Sequence, residues 1–170
     1  MKLLILSMFI IAGFSSCSLN KQNGSFTNSS IQTVDMGEFN GLRIIEIAAL
    51  NYPETTVQAS TSQVFTDKDK DNFGDSLIQS LKGSDVRVLP SAQTKLHIDF
   101  TQLILSDGET GRIITMTADV AVSRNGIISR ETIEINSKSK LTIGATKDNG
   151  VKMFIQELGD LLREQSSFKR

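Results

Sequence analysis

Four carboxylates lie close together in one stretch of the sequence, at Asp67, Asp69, Asp71 and Asp75. Carboxylate oxygens are the ligands that Ca²⁺ prefers, and the ion takes about six to eight oxygens in a flexible cage. Acidic residues at alternate positions, followed by a fourth, can converge on one such cation. The spacing therefore predicts a candidate calcium site formed by these four side chains.

The acidic stretch resembles the Asp-x-Asp-x-Asp core of calcium-binding loops and the acidic repeats of thrombospondin type 3. It departs from the EF-hand loop at Asn72, where that loop has its turn glycine, and at Ile78, where it has a bidentate glutamate. The alternative interpretation is structural, because acidic residues also stabilise the first turn of a helix. Lys68 and Lys70, which lie between the carboxylates, partly neutralise them.

His97 is the only histidine and Cys17 the only cysteine. A histidine-dependent enzyme would have to use His97 as its general base, but the sequence singles out no nucleophile beside it. A single cysteine excludes an intramolecular disulfide and a cysteine-rich zinc site. We therefore expect a protein that is not an enzyme, with no catalytic residue and, calcium apart, no cofactor.

The composition is that of a globular protein, with 39% hydrophobic and 22% charged residues. The formal net charge of −1 provides no basic surface for nucleic acid. Aromatic residues make up 6% of the chain and tryptophan is absent, so a platform for stacking bases is not expected. Nucleic acid is accordingly excluded as a partner.

The N-terminus has the layout of a secretory signal. Met1 and Lys2 form a short positive start, residues 3–11 are almost entirely apolar, and small residues follow. A transmembrane helix needs roughly 20 apolar residues, which is more than this run provides. Residues 1–16 are therefore predicted to be a signal peptide.

Phe14-Ser15-Ser16-Cys17 resembles the lipobox of bacterial lipoproteins, which has an apolar residue three positions before the cysteine and small residues just before it. The resemblance implies that the chain is cut before Cys17 and that its thiol carries lipid, with palmitate among the acyl chains. Two or three acyl chains make such an anchor stable. Ser18, in place of the aspartate that retains enterobacterial lipoproteins in the inner membrane, implies the outer membrane of a Gram-negative bacterium, facing the periplasm. The alternative is an ordinary secretory signal with a cysteine near the cut by chance.

Residues 17–38 are predicted to be the lipidated cysteine and a flexible tether, because residues 18–33 are rich in Ser, Asn and Gln and show no hydrophobic period. Residues 39–170 are predicted to form a single periplasmic α+β domain.

Hydrophobic periodicity predicts a regular succession of elements in this domain. Two stretches have helical spacing: residues 71–82, and a longer helix around Val151 whose N-terminus Asp148 or Asn149 would cap. Asn125-Gly126 is predicted to be a hairpin turn. Strands are predicted over residues 42–48, 86–90, 96–105, 112–123 and 127–138.

This order of elements favours a two-layer α+β sandwich, with a mixed or antiparallel sheet and two amphipathic helices on one face. The other face carries Thr, Ser, Asp, Arg and Glu and could meet water or a partner. The order over residues 40–165 resembles small periplasmic lipoproteins of the YajG type and, more distantly, the lipoprotein partner of the lipopolysaccharide translocon and auxiliary lipoproteins of lipid transport. The resemblance implies a non-enzymatic accessory protein.

The sequence leaves two functions open. The first is a non-catalytic, membrane-anchored periplasmic lipoprotein that acts as an accessory subunit of an envelope transport or assembly complex, with a protein partner docked at an edge strand or at the polar face. The second is a ligand-binding module, which would hold a lipid-like cargo between helix and sheet or calcium at residues 67–75.

Overall fold

The computed structural model describes residues 28–53 and 65–167 of the chain. This part contains two helices and five strands, which confirms the predicted α+β fold and the predicted order of its elements. In chain order they are β1 (Ile44–Asn51), α1 (Asp67–Gly83), β2 (Arg87–Val88), β3 (Thr94–Gly108), β4 (Gly111–Arg124), β5 (Ile127–Ser139) and α2 (Ile143–Ser167).

The five strands form one mixed sheet in the order β2-β1-β3-β4-β5. Strand β1 runs parallel to both of its neighbours, β2 and β3. Parallel strands need a crossover connection, and α1 provides it between β1 and β2. Strands β3, β4 and β5 form an antiparallel meander, whose second turn is the predicted hairpin at Asn125-Gly126. Both turn residues have positive φ, 52° and 82°, as a two-residue hairpin turn requires.

A bulge in β3 keeps the apolar side chains of this long strand on one face of the sheet. Leu96, Ile98 and Phe100 are buried, and the alternation then shifts by one residue, so that Leu103 and Leu105 are buried. The register between β3 and β4 shifts at the same place, between Phe100 and Gln102. Without the extra residue, every side chain beyond it would point to the opposite face.

Three phenylalanine rings join both helices to this apolar face. The ring of Phe100 on β3 lies 5.2 Å from that of Phe73 on α1 and 4.9 Å from that of Phe154 on α2, between ring centroids. The ring of Tyr52 stacks on Phe100 at 5.4 Å. Such aromatic contacts add to the gain from burial alone. The three rings meet between the helices and the sheet, where the ligand-binding hypothesis places a lipid-like cargo.

Both helices begin earlier than their periodicity predicted. The hydroxyl of Thr66 accepts the Asp69 N–H and the Asp69 carboxylate accepts the Thr66 N–H, a reciprocal capping box that starts α1. Helix α2 starts after Thr142, whose hydroxyl accepts the Ala145 N–H at 3.3 Å. The predicted caps Asp148 and Asn149 are wrong, because a threonine upstream already performs this role and places them inside the helix.

The described part of the predicted tether is packed against the domain. Residues 28–38 have no regular secondary structure, yet Val34 and Met36 are only 4% and 1% exposed. We name residues 28–36 the strap. The packed part of the chain therefore begins before residue 39, because the apolar side chains of the strap join the core.

Candidate functional surfaces

One face of α1 carries a buried stripe of polar side chains. Asp69, Asn72, Ser76 and Ser80 are all buried and follow one another at intervals of three or four residues, so they lie above one another on the helix. Buried polar groups require hydrogen-bond partners. The strap supplies them.

The backbone of the strap runs along this stripe and forms a hydrogen bond with each of its four side chains. The Ser29 N–H donates to Asp69 at 2.5 Å, and the side-chain amide of Asn72 donates to the Ser29 carbonyl. Further along, two strap N–H groups donate to hydroxyls of α1: Gln32 to Ser76 at 2.8 Å and Val34 to Ser80 at 2.9 Å. The strap therefore lies parallel to α1, and its backbone groups take the place of water on the stripe.

The strap also contacts α2. The backbone N–H and hydroxyl of Ser30 donate to the carboxylate of Asp148 at 2.6 and 2.9 Å, and the Met36 carbonyl accepts a hydrogen bond from Arg163. At Gly159 the helix touches the strap so closely that an added Cβ would lie 3.0 Å from the Cβ of Met36. The strap thus joins the two helices.

A buried ion pair fixes the first residues of the strap. The Lys147 ammonium on α2 lies 2.6 Å from the Asp69 carboxylate, and the two side chains are 2% and 0% exposed. Burial alone raises the pKa of Asp69, but the Lys147 ammonium and the hydrogen bonds from Ser29 and Thr66 outweigh it and hold the pKa below its ordinary value. Asp69 is therefore an ionised structural group.

The helix places Asp69 apart from the other three carboxylates of the predicted calcium site. Asp67, Asp71 and Asp75 are exposed, whereas Asp69 points into the core and is already paired. Each residue turns an α-helix by about 100°, so Asp69 lies on the side opposite Asp67 and Asp71, whereas Asp67, Asp71 and Asp75 follow one another along one exposed side. Within the described ranges, no three acidic, histidine or cysteine side chains are placed to hold a metal. Asp67 and Asp69 form the acidic first turn of α1, as the alternative, structural interpretation of this stretch expects.

His97 lies on the face of the sheet opposite the core. We name this surface the open face; it is formed by the side chains that alternate with the buried ones on β3, β4 and β5. In the strand register the residues directly beside His97 are Ala49 on β1 and Ala121 on β4. Neither alanine can serve as a nucleophile or orient an imidazole. His97 therefore has no catalytic partner among its cross-strand neighbours, and the sequence singles out none.

Strand β5 forms an edge of the sheet. It pairs with β4 along its length, and no other strand of the described chain pairs with its far side. Two large apolar side chains at its start are exposed, Ile127 at 76% and Ile128 at 55%. Edge strands present unpaired N–H and C=O groups that can accept another strand.

Sequence reasoning missed the polar stripe of α1 and the strap that it binds. The signal was present, since Asp69, Asn72, Ser76 and Ser80 have helical spacing beside the apolar residues Phe73, Leu77 and Leu81. A helix with a second stripe of short polar side chains next to its apolar one indicates that a backbone segment packs there. The sequence pattern alone instead suggests Asp69 as a metal ligand and Asn72 as a departure from a calcium loop.

Residues 1–27, which include Cys17 and the predicted signal peptide, lie outside the described residues. No helix in the described part of the chain has the length and apolar character that crossing a membrane requires.

Comparison with known proteins shows a similarity of fold to solved structures. No protein family matches the sequence, and no curated protein matches it. Among solved structures, an uncharacterized protein has a TM-score of 0.52 at 12% identity, over 83% of this chain and 99% of its own. This likeness shows a fold shared over nearly the whole of that protein.

Two further solved structures are similar at lower scores. A DUF330 protein from Xanthomonas campestris has a TM-score of 0.46 at 15% identity, over 84% of this chain and 95% of its own. A minor lipoprotein from Acinetobacter baumannii has a TM-score of 0.40 at 13% identity, over 74% of this chain and 93% of its own.

Proposed function

We propose that this protein is a non-catalytic lipoprotein of the bacterial envelope, held in the outer membrane by lipid on Cys17, and that it serves as an accessory subunit of a transport or assembly complex. Its open face is the surface for a protein partner. The observation that carries the proposal is the position of the strap, because it determines which side of the domain the membrane anchor approaches.

The strap enters the domain at the N-terminal end of α1, where Asn28 contacts Thr66 and Ser29 contacts Asp69. A chain from residue 17 to residue 28 spans at most about 40 Å when fully extended. The strap thus occupies the helical side of the domain. This side lies within about 40 Å of Cys17, the greatest distance that residues 17–28 can span. The open face is on the other side of the sheet and stays accessible.

The polar residues of the domain support binding rather than catalysis. The one buried ion pair that α1 and α2 share, Asp69 with Lys147, fixes the strap. His97 lies between two alanines on the open face. The exposed polar side chains of this face can supply the hydrogen bonds that a protein interface contains.

The lipid anchor is tested by moving the only thiol of the chain. We expect the unaltered protein to incorporate a labelled palmitate analogue and to partition with membranes. The Cys17→Ser variant loses both properties. The double variant Cys17→Ser/Ser25→Cys keeps one cysteine at the wrong position and serves as the matched control. Label on the double variant, or none on the unaltered protein, would contradict the proposal.

The docking surface is tested with a photo-cross-linking residue in living cells. Gln102 is exposed on the open face and Gln156 is exposed on α2, so the two positions start from the same side chain. We expect a discrete adduct with an envelope protein at position 102 and none at position 156. The same adduct at both positions, or none at 102, would mean that the open face is not the docking surface.

A further inference from the structure

The unpaired edge of β5 has a charge pattern that is complementary to itself. Arg130 and Glu134 both lie on the open face, both are exposed, and Thr132 lies midway between them. Neither charge has an ion-pair partner within the part of the chain that the structure describes. If a second β5 runs antiparallel beside the first with Thr132 opposite Thr132, each Arg130 faces a Glu134 of the other copy.

We propose that two copies of this chain associate through β5, with Thr132 at the two-fold axis. The two sheets then continue into one, and the unpaired N–H and C=O groups of each edge find partners on the other. Such an interface is isologous, since each copy uses the same patch. Two reciprocal Arg130–Glu134 pairs form on the open face.

The exposed apolar residues of β5 support the same register. Ile127 comes to lie opposite Ser137 of the other copy, and Ile128 opposite Asn136. On the core side, Ser137 is covered by α2, where it accepts a hydrogen bond from Asn149 at 2.8 Å. The exposed Ile127 of one copy therefore approaches the α2 of the other, whereas Ile128, on the open face, gains a neighbouring strand at its side.

Three alternative registers are less favourable, because they place like charges opposite one another or leave the exposed isoleucines without a neighbouring strand. Centring the pair on Arg130 or on Glu134 places like charges directly opposite one another, which destabilises a strand pair. Centring it on Asn136 brings Glu134 opposite Lys138, but leaves Ile127 and Ile128 without a strand beside them. The register centred on Thr132 pairs Arg130 with Glu134 and places a strand beside both isoleucines.

A single cysteine at the axis tests the geometry. Side chains directly opposite in antiparallel strands have Cβ atoms about 4.5–5.5 Å apart, close to the roughly 3.5–4.5 Å of a disulfide. We expect the full-length Thr132→Cys protein in detergent to form a covalent dimer on mild oxidation. Thr117→Cys, on the interior strand β4, is the matched control, and the unaltered chain gives the background from Cys17. Equal cross-linking at positions 117 and 132, or none above background at 132, overturns the proposal.

A charge exchange tests the register. We expect Arg130→Glu to weaken dimerisation by about tenfold, because it replaces two attractive pairs with two repulsive ones. The double variant Arg130→Glu/Glu134→Arg restores both pairs and regains the affinity of the unaltered protein. Sedimentation analysis of the full-length proteins in detergent measures the dissociation constants. A double variant that remains as weak as Arg130→Glu overturns the register.

The self-association does not depend on the proposed accessory role. Dimerisation requires only β5, whereas the partner is expected at the open face and the lipid at Cys17. If a dimer forms in vitro but no adduct forms at position 102 in cells, the self-association is supported and the docking of a partner on the open face is contradicted.

Discussion

Lys147 and Asp69 are among the least exposed side chains of the described chain, although both carry charge. Removing two ions from water is costly, and their attraction offsets this only when the remaining hydrogen-bond capacity is also used. Here the carboxylate accepts hydrogen bonds from Ser29 and Thr66 as well as the ion pair. The lysine lies 5.4 Å from the ring centroid of Phe65, a favourable position for a cation.

Removing the lysine leaves a buried carboxylate without its counter-charge. We expect Lys147→Met to lower the free energy of unfolding by about 3–5 kcal/mol. The double variant Lys147→Met/Asp69→Asn should be more stable than Lys147→Met alone, because the uncompensated charge is gone. Urea denaturation of the full-length proteins measures both values. A single variant as stable as the unaltered protein would show that the pair contributes nothing.

The lowered pKa of Asp69 predicts how stability depends on pH. A carboxyl group whose folded pKa lies below its unfolded value stabilises the fold fully above the unfolded value, and this contribution is lost as the pH falls through the folded value. We expect the advantage of the unaltered protein over Asp69→Asn to be constant from about pH 7 to about pH 5 and to shrink below about pH 4. An advantage that grows towards acid would contradict the direction of the shift.

At the scale of elements, the strap and the two helices depend on one another. The strap has no regular structure of its own, and its order comes from side chains of α1 and α2. Those helices in turn keep buried polar groups that accept hydrogen bonds from the strap backbone. Contacts between Met36 and Gly159 bring the strap backbone against α2.

Two helical glycines should respond in opposite ways to the same substitution. Alanine normally stabilises a helix relative to glycine by up to about 1 kcal/mol. At Gly74 an added Cβ meets only Leu50 at 3.7 Å, so we expect Gly74→Ala to be stabilising. At Gly159 it meets the Met36 backbone at 3.2 Å, and we expect Gly159→Ala to destabilise by about 1–3 kcal/mol. Thermal and urea unfolding of both variants, compared in parallel, measure the difference; stabilisation at both positions would mean that the strap does not pack there.

The sequence allowed the regular elements to be predicted because their signals are local. Alternation in β3, β4 and β5, the turn at Asn125-Gly126 and the apolar stripe of α2 each lie within one short window. The helix starts were missed because the capping residues Thr66 and Thr142 lie well before Phe73 and Val151, where the regular apolar spacing begins.

The strap was missed for a different physical reason. Its Ser-, Asn- and Gln-rich composition is typical of linkers, and its hydrogen bonds use backbone groups, which every residue has. The partners Asp69, Ser76 and Ser80 lie 40–46 residues further along the chain. The edge position of β5 likewise follows only from the strand order, which the sequence left open.

At the scale of the whole molecule, the strap determines the orientation that the domain takes if Cys17 carries lipid. The first turn of α1 then lies at the end of the tether and the last turn lies away from it. A helix of 17 residues is about 25 Å long, so its two ends differ measurably in their distance from a bilayer.

This orientation can be measured with a fluorophore on an introduced cysteine, since a lipidated Cys17 has no reactive thiol. Lys68 and Lys82 lie near opposite ends of α1 and are both exposed. In vesicles that contain a lipid-linked quencher, we expect label on Lys68→Cys to be quenched more strongly than label on Lys82→Cys. Equal quenching would show that the domain has no preferred orientation, and the reverse order would place the anchor at the other end.

The direction of the strap also determines how the domain would respond to mechanical load. A protein tethered to one membrane and bound to a machine beyond it is pulled through its N-terminal segment. That force would enter at Ser29 and act along the strap, parallel to α1. Its hydrogen bonds to Asp69, Ser76 and Ser80 would be sheared together and would not open one after another. A backbone held in this way resists extension, and the charged pair of Asp69 and Lys147 lies where the pull begins.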